Sequence, residues 1–193
     1  MLRLRPYKPC DANSIVNWCN DEQSFRMWSS DRYDSYPISP ADMNNKYYDW
    51  NGDCVEADNF YPMTCYDELG IAGHFIMRYT NGDKQSIRLG WVIVHPDVRG
   101  QGYGKQMVKL ALDYAFNFLQ ANRVTVGVFD KNTSAYYCYV SAGFKNVQVD
   151  AQDTYRFNDE IWSVLEMEIT REEYERKNSR SQIFTRNKCL KRK

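Results

Sequence analysis

The sequence predicts an α/β fold of the α+β type, a mixed and mostly antiparallel sheet flanked by helices. Three observations carry that expectation. Strand-like runs from Phe60 to Tyr66, Ile71 to Thr80 and Ser86 to Val94 follow one another through short turns. One of these turns, Asn81-Gly82-Asp83, is of the type that closes tight hairpins. The Val-rich end of the third run passes through a glycine-alternating turn straight into an amphipathic helix, and a strand from Arg123 to Phe129 returns beside it. Finally, Phe144 to Asp150 and Ile161 to Ile169 read as a last antiparallel pair.

The remaining elements follow in chain order. Leu2 to Tyr7 alternates apolar and basic residues, as an edge-like first strand does. Pro9 and Asp11 start a helix expected to run to about Asn20, with Ile15, Val16, Trp18 and Cys19 as its apolar side. Phe25, Met27 and Trp28 form a second short apolar segment. Ser35 to Pro40 is a loop, and Ser39 or Asp42 can cap a helix running to Trp50, which Asn51-Gly52-Asp53 breaks. In the long helix, Met107, Val108, Leu110, Ala111, Tyr114, Ala115, Phe118 and Leu119 recur with the helical period. Residues 1–178 are expected to form one domain, and 179–193 a basic polar tail.

Composition narrows the function classes. With 193 residues the chain can bury a substantial core, and it is rich in aromatics, with 15 Tyr and 5 Trp. No apolar run has membrane-spanning length, and the start Met1-Leu2-Arg3-Leu4-Arg5 lacks the core of a signal peptide. The six cysteines have no paired spacing and there are only two histidines, which argues against a zinc site and fits a reducing cytoplasm. Charge is balanced overall but not locally. Residues 171–193 carry nine Lys/Arg against three Glu, whereas residues 1–68 hold twelve acids and six bases. An acidic half favours a cationic substrate such as an amine, although ordinary solvated surface charge is the plainer reading. The basic tail comes with no base-reading motif, so no nucleic-acid partner is expected.

The segment from Val92 to Lys105 carries the most chemistry. Gly100, Gly102 and Gly104 alternate, which lets successive backbone N–H groups converge on one hollow. The helix behind them adds unpaired donors and the positive end of its dipole, so the turn suits a phosphate or pyrophosphate. It is not a dinucleotide fingerprint, because the spacing is Gly-x-Gly-x-Gly and no acid lies near Val124. Nor is it a P-loop, because Gln106 follows Lys105 where a hydroxyl is needed. A plain strand-to-helix turn is the alternative.

Arg99-x-x-Gly102-x-Gly104 after a Val-rich strand resembles the acyl-CoA pyrophosphate loop of the GNAT N-acetyltransferase superfamily. A second run strengthens the resemblance. Family members show Asn-x-x-Ala-x-x-Leu-Tyr, three residues, then Gly-Phe. Here Asn132, Ala135, Tyr139, Gly143 and Phe144 match, with Cys138 in place of Leu. The likeness extends from about Leu69 to Phe144.

The resemblance implies a GNAT-like fold with splayed central strands and a set of roles. Backbone groups of Val92, Ile93 and Val94 would pair with the pantetheine arm, and an amide there would polarise the thioester carbonyl. Arg99, Gly100, Gln101, Gly102, Tyr103, Gly104 and Lys105 would hold the pyrophosphate. Asn132 would cap its helix, bond the pantetheine, or do both. Tyr139 would protonate the leaving thiolate, although Tyr136, Tyr137 and Tyr139 can each simply pack. The base is open. The Glu carried by some relatives aligns with Gly127. His74 is the titratable replacement, set against a structural histidine, and Asp67 or Glu68 could act through water. His95 is expected only to pack or cap.

The expected activity is therefore cytoplasmic transfer of an acetyl group from acetyl-CoA to a primary amine by direct attack, without a metal. The amine is a peptide or protein N-terminus or a small molecule, and Trp18, Phe25, Trp28 and Trp50 would shape its pocket. An aminoglycoside or polyamine acceptor is the alternative, and a non-catalytic acyl-CoA-binding regulatory module the second. Retention of Tyr139 argues against the latter. No membrane partner is expected, and a homodimer is compatible with the sequence.

Overall fold

The computed structural model describes residues 1–51, 60–80 and 82–179. Its strands are β1 (Arg3–Pro6), β2 (Phe60–Asp67), β3 (Gly70–Thr80), β4 (Asp83–Val94), β5 (Arg123–Phe129), β6 (Lys145–Asn146), β7 (Thr154–Phe157) and β8 (Glu160–Thr170). They join in the order β1-β2-β3-β4-β5-β8-β6, with β7 paired to β8 alone. All pairings are antiparallel except that of β4 with β5. The mixed, mostly antiparallel sheet expected from sequence is thus present, with β1 at its edge.

The helices are α1 (Ala12–Ile15), α2 (Glu22–Ser29), α3 (Pro40–Asn51), α4 (Tyr103–Asn117) and α5 (Thr133–Ala142), followed by α6 over residues 171–179. Helix α3 starts with reciprocal bonds: the Ser39 backbone N–H donates to the Asp42 carboxylate (2.8 Å) and the Asp42 N–H to the Ser39 hydroxyl (3.2 Å). Both residues proposed as its cap therefore act together.

Three expectations are corrected. The first helix does not reach Asn20; a 3-10 turn (Pro9–Asp11) leads into α1, which ends at Ile15. Its polar residues compete with the helical ladder, Asn17 donating its side-chain amide to the Asn13 carbonyl (2.9 Å), and the chain then turns Trp18 into the core. The buried face of α4 is also rotated from the expected one. Leu112 and Phe116 are buried, whereas Phe118 is 74% exposed, because Tyr174 of α6 packs on Phe116 with ring centroids 4.7 Å apart. Finally, β8 pairs with more than the segment after Phe144. It sits between β5 and β6 and also forms a hairpin with β7, a strand the alternation of residues 154–157 did not reveal. Helix α3 ends at Asn51, the first residue of the expected break, whereas Gly52, Asp53, the hairpin residue Asn81 and most of the basic tail lie outside the described residues.

Two cores cover the two sheet faces. On one, Phe75, Met77, Ile87, Leu89, Val124 and Val126 pack under Met107, Val108, Ala111 and Ala115 of α4, with Tyr139 of α5. On the other, Ile76 and Ile93 pack with Ile15, Trp18, Phe25, Met43 and Tyr47 from α1 to α3 and their connections. No helix among the described residues is long and apolar enough to cross a membrane.

Candidate active site

The site begins where two parallel neighbours part. β4 and β5 pair from Ser86↔Arg123 to Leu89↔Val126. Beyond that point β4 stays with β3 as far as Val94↔Gly73, and β5 stays with β8 as far as Phe129↔Val164. The ends of β4 and β5 are therefore splayed, leaving the backbone of Trp91 to Val94 along an open gap. A bulge starts the divergence. His74 pairs with Ile93 and Ile76 with Gly90, so two steps on β3 span three on β4. Within it Trp91 adopts φ +47°, a left-handed conformation that a bulky residue rarely takes.

The bulge is held by aromatic side chains from the N-terminal helices. Trp91 stacks on Tyr47 (centroids 5.4 Å apart, 19° between planes) and on Trp50 (5.0 Å, 29°). The Trp28 indole N–H donates to the Trp91 carbonyl at 2.9 Å. Of the four aromatics expected around an acceptor, Trp18 and Phe25 are core residues, whereas Trp28 and Trp50 line a cleft. That cleft, of about 330 Å³, runs from the mouth of the gap at Gly90, Trp91 and Gly127 to α2 and β7.

The glycine turn lies at the C-terminal end of β4. Gly100 and Gly102 adopt φ +75° and +83°, which shapes the concave turn before α4. In the first turn of that helix the N–H groups of Tyr103, Gly104 and Lys105 have no intrahelical acceptor. The Arg99 guanidinium bonds the carbonyls of Val94 (3.0 Å) and Trp18 (2.7 Å), tying the turn to the end of β4. Gln101 donates back to the Asp97 carbonyl (2.8 Å), and the Tyr103 hydroxyl to the Asp67 carboxylate (2.7 Å). Lys105 is exposed. A side chain at Gly104 would begin 3.3 Å from the Cys138 sulfur and 3.7 Å from Val94, so glycine brings α4, α5 and β4 together here.

Helix α5 presents the other motif. The Asn132 side-chain oxygen accepts from the Ala135 N–H at 3.2 Å, so this residue caps its helix. Tyr139 is buried against Phe144 (centroids 5.8 Å apart), and its hydroxyl makes no hydrogen bond among the described residues. Burial, with a smaller contribution from Cys138, holds its pKa above the usual tyrosine value. Val92 to Val94, the glycine turn, Asn132 and Tyr139 thus come from β4, α4 and α5, which pack together.

His74, the cross-strand partner of Ile93, is set in the core. It is fully buried, its Nε2 lies 2.6 Å from the Tyr47 hydroxyl, and its Nδ1 has no partner among the described residues. Burial pushes its pKa down to about 3, against a weaker upward pull from Asp11. Asp67 is engaged by Tyr103, and Glu68 by the N-terminal amine and Arg3. His95 accepts from the Asp97 N–H (3.2 Å) and packs on Trp18, as expected of a capping residue.

Sequence reasoning missed a charged floor. Arg78 of β3, Arg88 of β4 and Gly127 of β5 line the cleft, and Arg88 forms a two-bond ion pair (2.7 and 2.8 Å) with Glu166 of β8. A side chain at Gly127 would begin 2.6 Å from the Arg88 guanidinium and 3.1 Å from the Glu166 carboxylate. Glu166 therefore brings a carboxylate from the next strand into space that a glutamate at position 127 would enter. Only its antiparallel register opposite Gly127 could have signalled it.

A sheet split over a phosphate-type turn, with a cleft reaching the split from the opposite face, defines an acyl-CoA-using acyltransferase. Residues 1–145 match the profile of the Acetyltransferase (GNAT) domain, and the chain belongs to that family. It is an acetyl-CoA-dependent N-acetyltransferase. It is 22% identical over 173 residues to the spermidine N(1)-acetyltransferase of Escherichia coli K12, covering 90% of this chain and 88% of that protein. An N-acetyltransferase 9-like protein of Caenorhabditis briggsae is 26% identical over 152 residues, covering 75% and 74%. Among solved structures, spermidine N-acetyltransferase from Vibrio cholerae in complex with CoA and spermine superposes with a TM-score of 0.72 at 21% identity, covering 90% of this chain and 97% of that one.

Proposed function

We propose that the chain moves the acetyl group of acetyl-CoA onto a primary amine that enters through the α2-side cleft and attacks the thioester directly. The observation that carries this reading is the splay itself. One face of the gap is flanked by the glycine turn and Tyr139, and the other is reached by the cleft, so donor and acceptor can meet through the sheet.

Each residue then has a task. The free N–H groups at the start of α4 and the turn around Gly100 and Gly102 hold the pyrophosphate, with Lys105 adding charge. Arg99 serves by anchoring this turn to Val94 rather than by gripping phosphate, since its guanidinium is already bonded to two carbonyls. Val92 to Val94 align the pantetheine arm and polarise the thioester carbonyl. Asn132 fixes the start of α5. Tyr139, kept protonated by burial, passes its proton to the departing thiolate. His74 is a positioning residue, because a ring held neutral in the core cannot readily take a proton from an ammonium ion. The amine proton passes to cleft water backed by Glu166, whose oxygens retain a second lone pair beyond the bonds from Arg88.

Among acceptors, a polyamine has the support of the spermidine acetyltransferase relatives and of the acidic N-terminal half, whereas none of these relatives supports a peptide N-terminus or an aminoglycoside. The four described free cysteines suit a reducing compartment. The test is calorimetric titration with acetyl-CoA, followed by free-thiol release with spermidine, spermine and peptide acceptors. Amine-dependent release, lost in Tyr139→Phe, supports transfer. Tight binding without release from any amine would favour a non-catalytic acyl-CoA module, and no binding would overturn the reading.

A further inference from the structure

The cleft holds a cation for which no counter-charge is found among the described residues. Arg78 and Arg88 are direct cross-strand partners on β3 and β4 and line the same cleft. Like charges placed opposite one another in this way destabilise a sheet. Arg88 is relieved by Glu166 and Arg32 by Asp31 (2.8 Å). Arg78 is only partly exposed and has no ion pair or hydrogen bond among the described residues. Burial pulls its pKa down, and among the described residues the charges of Arg88 and Arg32 pull it further in the same direction. Asp153 also lines the cleft but forms no ion pair with Arg78 among the described residues.

We propose that Arg78 binds an anionic group, a carboxylate or a phosphate, on the amine acceptor. The substrate class is then a small amine that also carries an acid, which departs from the polyamine that the spermidine acetyltransferase relatives support. The placement fits. Arg88, opposite Arg78, is two residues along β4 from Gly90, roughly 7 Å of strand rise, and the splayed gap opens there. An acid seated on the guanidinium therefore leaves an amine a few bonds away at the thioester. A planar guanidinium takes a carboxylate or phosphate through paired N–H donors, which gives both charge and orientation. A polyamine would bring a second like charge to the same wall.

The inference relies on the transfer reading only for where the amine reacts, and the experiment separates the two. Thiol release is compared for matched acceptors, γ-aminobutyrate against putrescine of equal length, and phosphoethanolamine against ethanolamine, which lacks only the phosphate. The acid-bearing member of at least one pair should be favoured by about tenfold or more in kcat/KM, the size expected of one charge-assisted contact. Which pair responds distinguishes carboxylate from phosphate. Arg78→Gln should erase the preference and Arg78→Lys keep part of it, with circular dichroism checking the fold. A wild-type preference for putrescine, or an unchanged ratio in Arg78→Gln, overturns the proposal.

A second readout needs no turnover. Trp28, Trp50 and Trp91 line the cleft, so their fluorescence should respond saturably to glutarate or inorganic phosphate in the wild type and lose that response in Arg78→Gln. No response to either anion, or an equal response in the variant, overturns the site. Saturation by an anion with no thiol release from any amine would leave the anion site standing and overturn the transfer reading.

Discussion

The indole N–H of Trp28 on α2 donates to the carbonyl oxygen of Trp91 in the β4 bulge across 2.9 Å, joining the N-terminal helices to the strand that borders the splayed gap. Trp91 is in the left-handed region, which costs a bulky residue of order 1–3 kcal/mol unless its surroundings hold it there. The bond to Trp28 and the stack with Tyr47 and Trp50 are what hold it. Trp28→Phe keeps an aromatic ring but removes the donor. It should cost about 1 kcal/mol of stability and lower kcat about tenfold while changing acetyl-CoA affinity little, because the bulge aims Val92 to Val94. Steady-state kinetics beside a thermal melt decide the matter. A lower Tm with unchanged kcat would confine the bond to stability.

Gly102 offers a test of the pyrophosphate turn. A Cβ there would meet nothing within 4 Å, so Gly102→Ala is penalised by its backbone angle of +83° and not by crowding. The strain is about 1–2 kcal/mol, and relaxing it turns the N–H groups out of the hollow. Calorimetry should show acetyl-CoA binding weakened about five- to tenfold, with kcat at saturation nearly intact. Unaltered affinity would place the phosphates elsewhere.

The parts of this site legible in the sequence are those whose geometry is local. The glycine turn and the Asn132 to Phe144 run lie each within one short segment, so residue type and spacing dictate their shape. The charged cleft is different. Arg78, Arg88, Gly127 and Glu166 come from four strands, and their meeting depends on register, which alternation alone does not supply. The same holds for α4. Its period is plain, but burial of Phe116 rather than Phe118 is decided by Tyr174, more than fifty residues away. His74 shows a further limit, since the sequence offers a titratable ring while only packing reveals that the core keeps it neutral.

Tyr139→Phe should separate chemistry from binding. The hydroxyl has no hydrogen-bond partner among the described residues, so deleting it leaves the packing against Phe144 in place and stability within about 0.5 kcal/mol of wild type. If the hydroxyl protonates the leaving thiolate, kcat falls about 100-fold or more while the acetyl-CoA Kd stays the same. Because burial raises its pKa, this group remains protonated to at least about pH 10, and kcat should show no alkaline loss below that point from its ionisation. Equal kcat in the variant would remove Tyr139 from the proton transfer.

His74 makes a prediction about stability against pH whose sign is opposite to that of a histidine gaining a partner. Its folded pKa is depressed by burial to about 3, whereas an unfolded histidine titrates near 6.5, so between those values the unfolded chain binds the extra proton. The stabilisation is fully present above about pH 6.5 and is lost as pH falls towards 3, at up to about 1.4 kcal/mol per pH unit. Asp11, whose carboxylate is destabilised by burial but more than compensated by Arg5, Lys8 and Thr64, is held below the ordinary range. It adds its own loss only below about pH 4. Urea denaturation at about pH 7.5, 6 and 5 therefore isolates the imidazole, and His74→Gln should flatten the slope while lowering stability at neutral pH. The same variant tests the proton path. Should the acid limb of kcat/KM vanish in His74→Gln while the stability slope persists, the ring would have to be exchanging protons with the substrate. A flattened slope with the acid limb unchanged leaves that proton to the cleft water and Glu166.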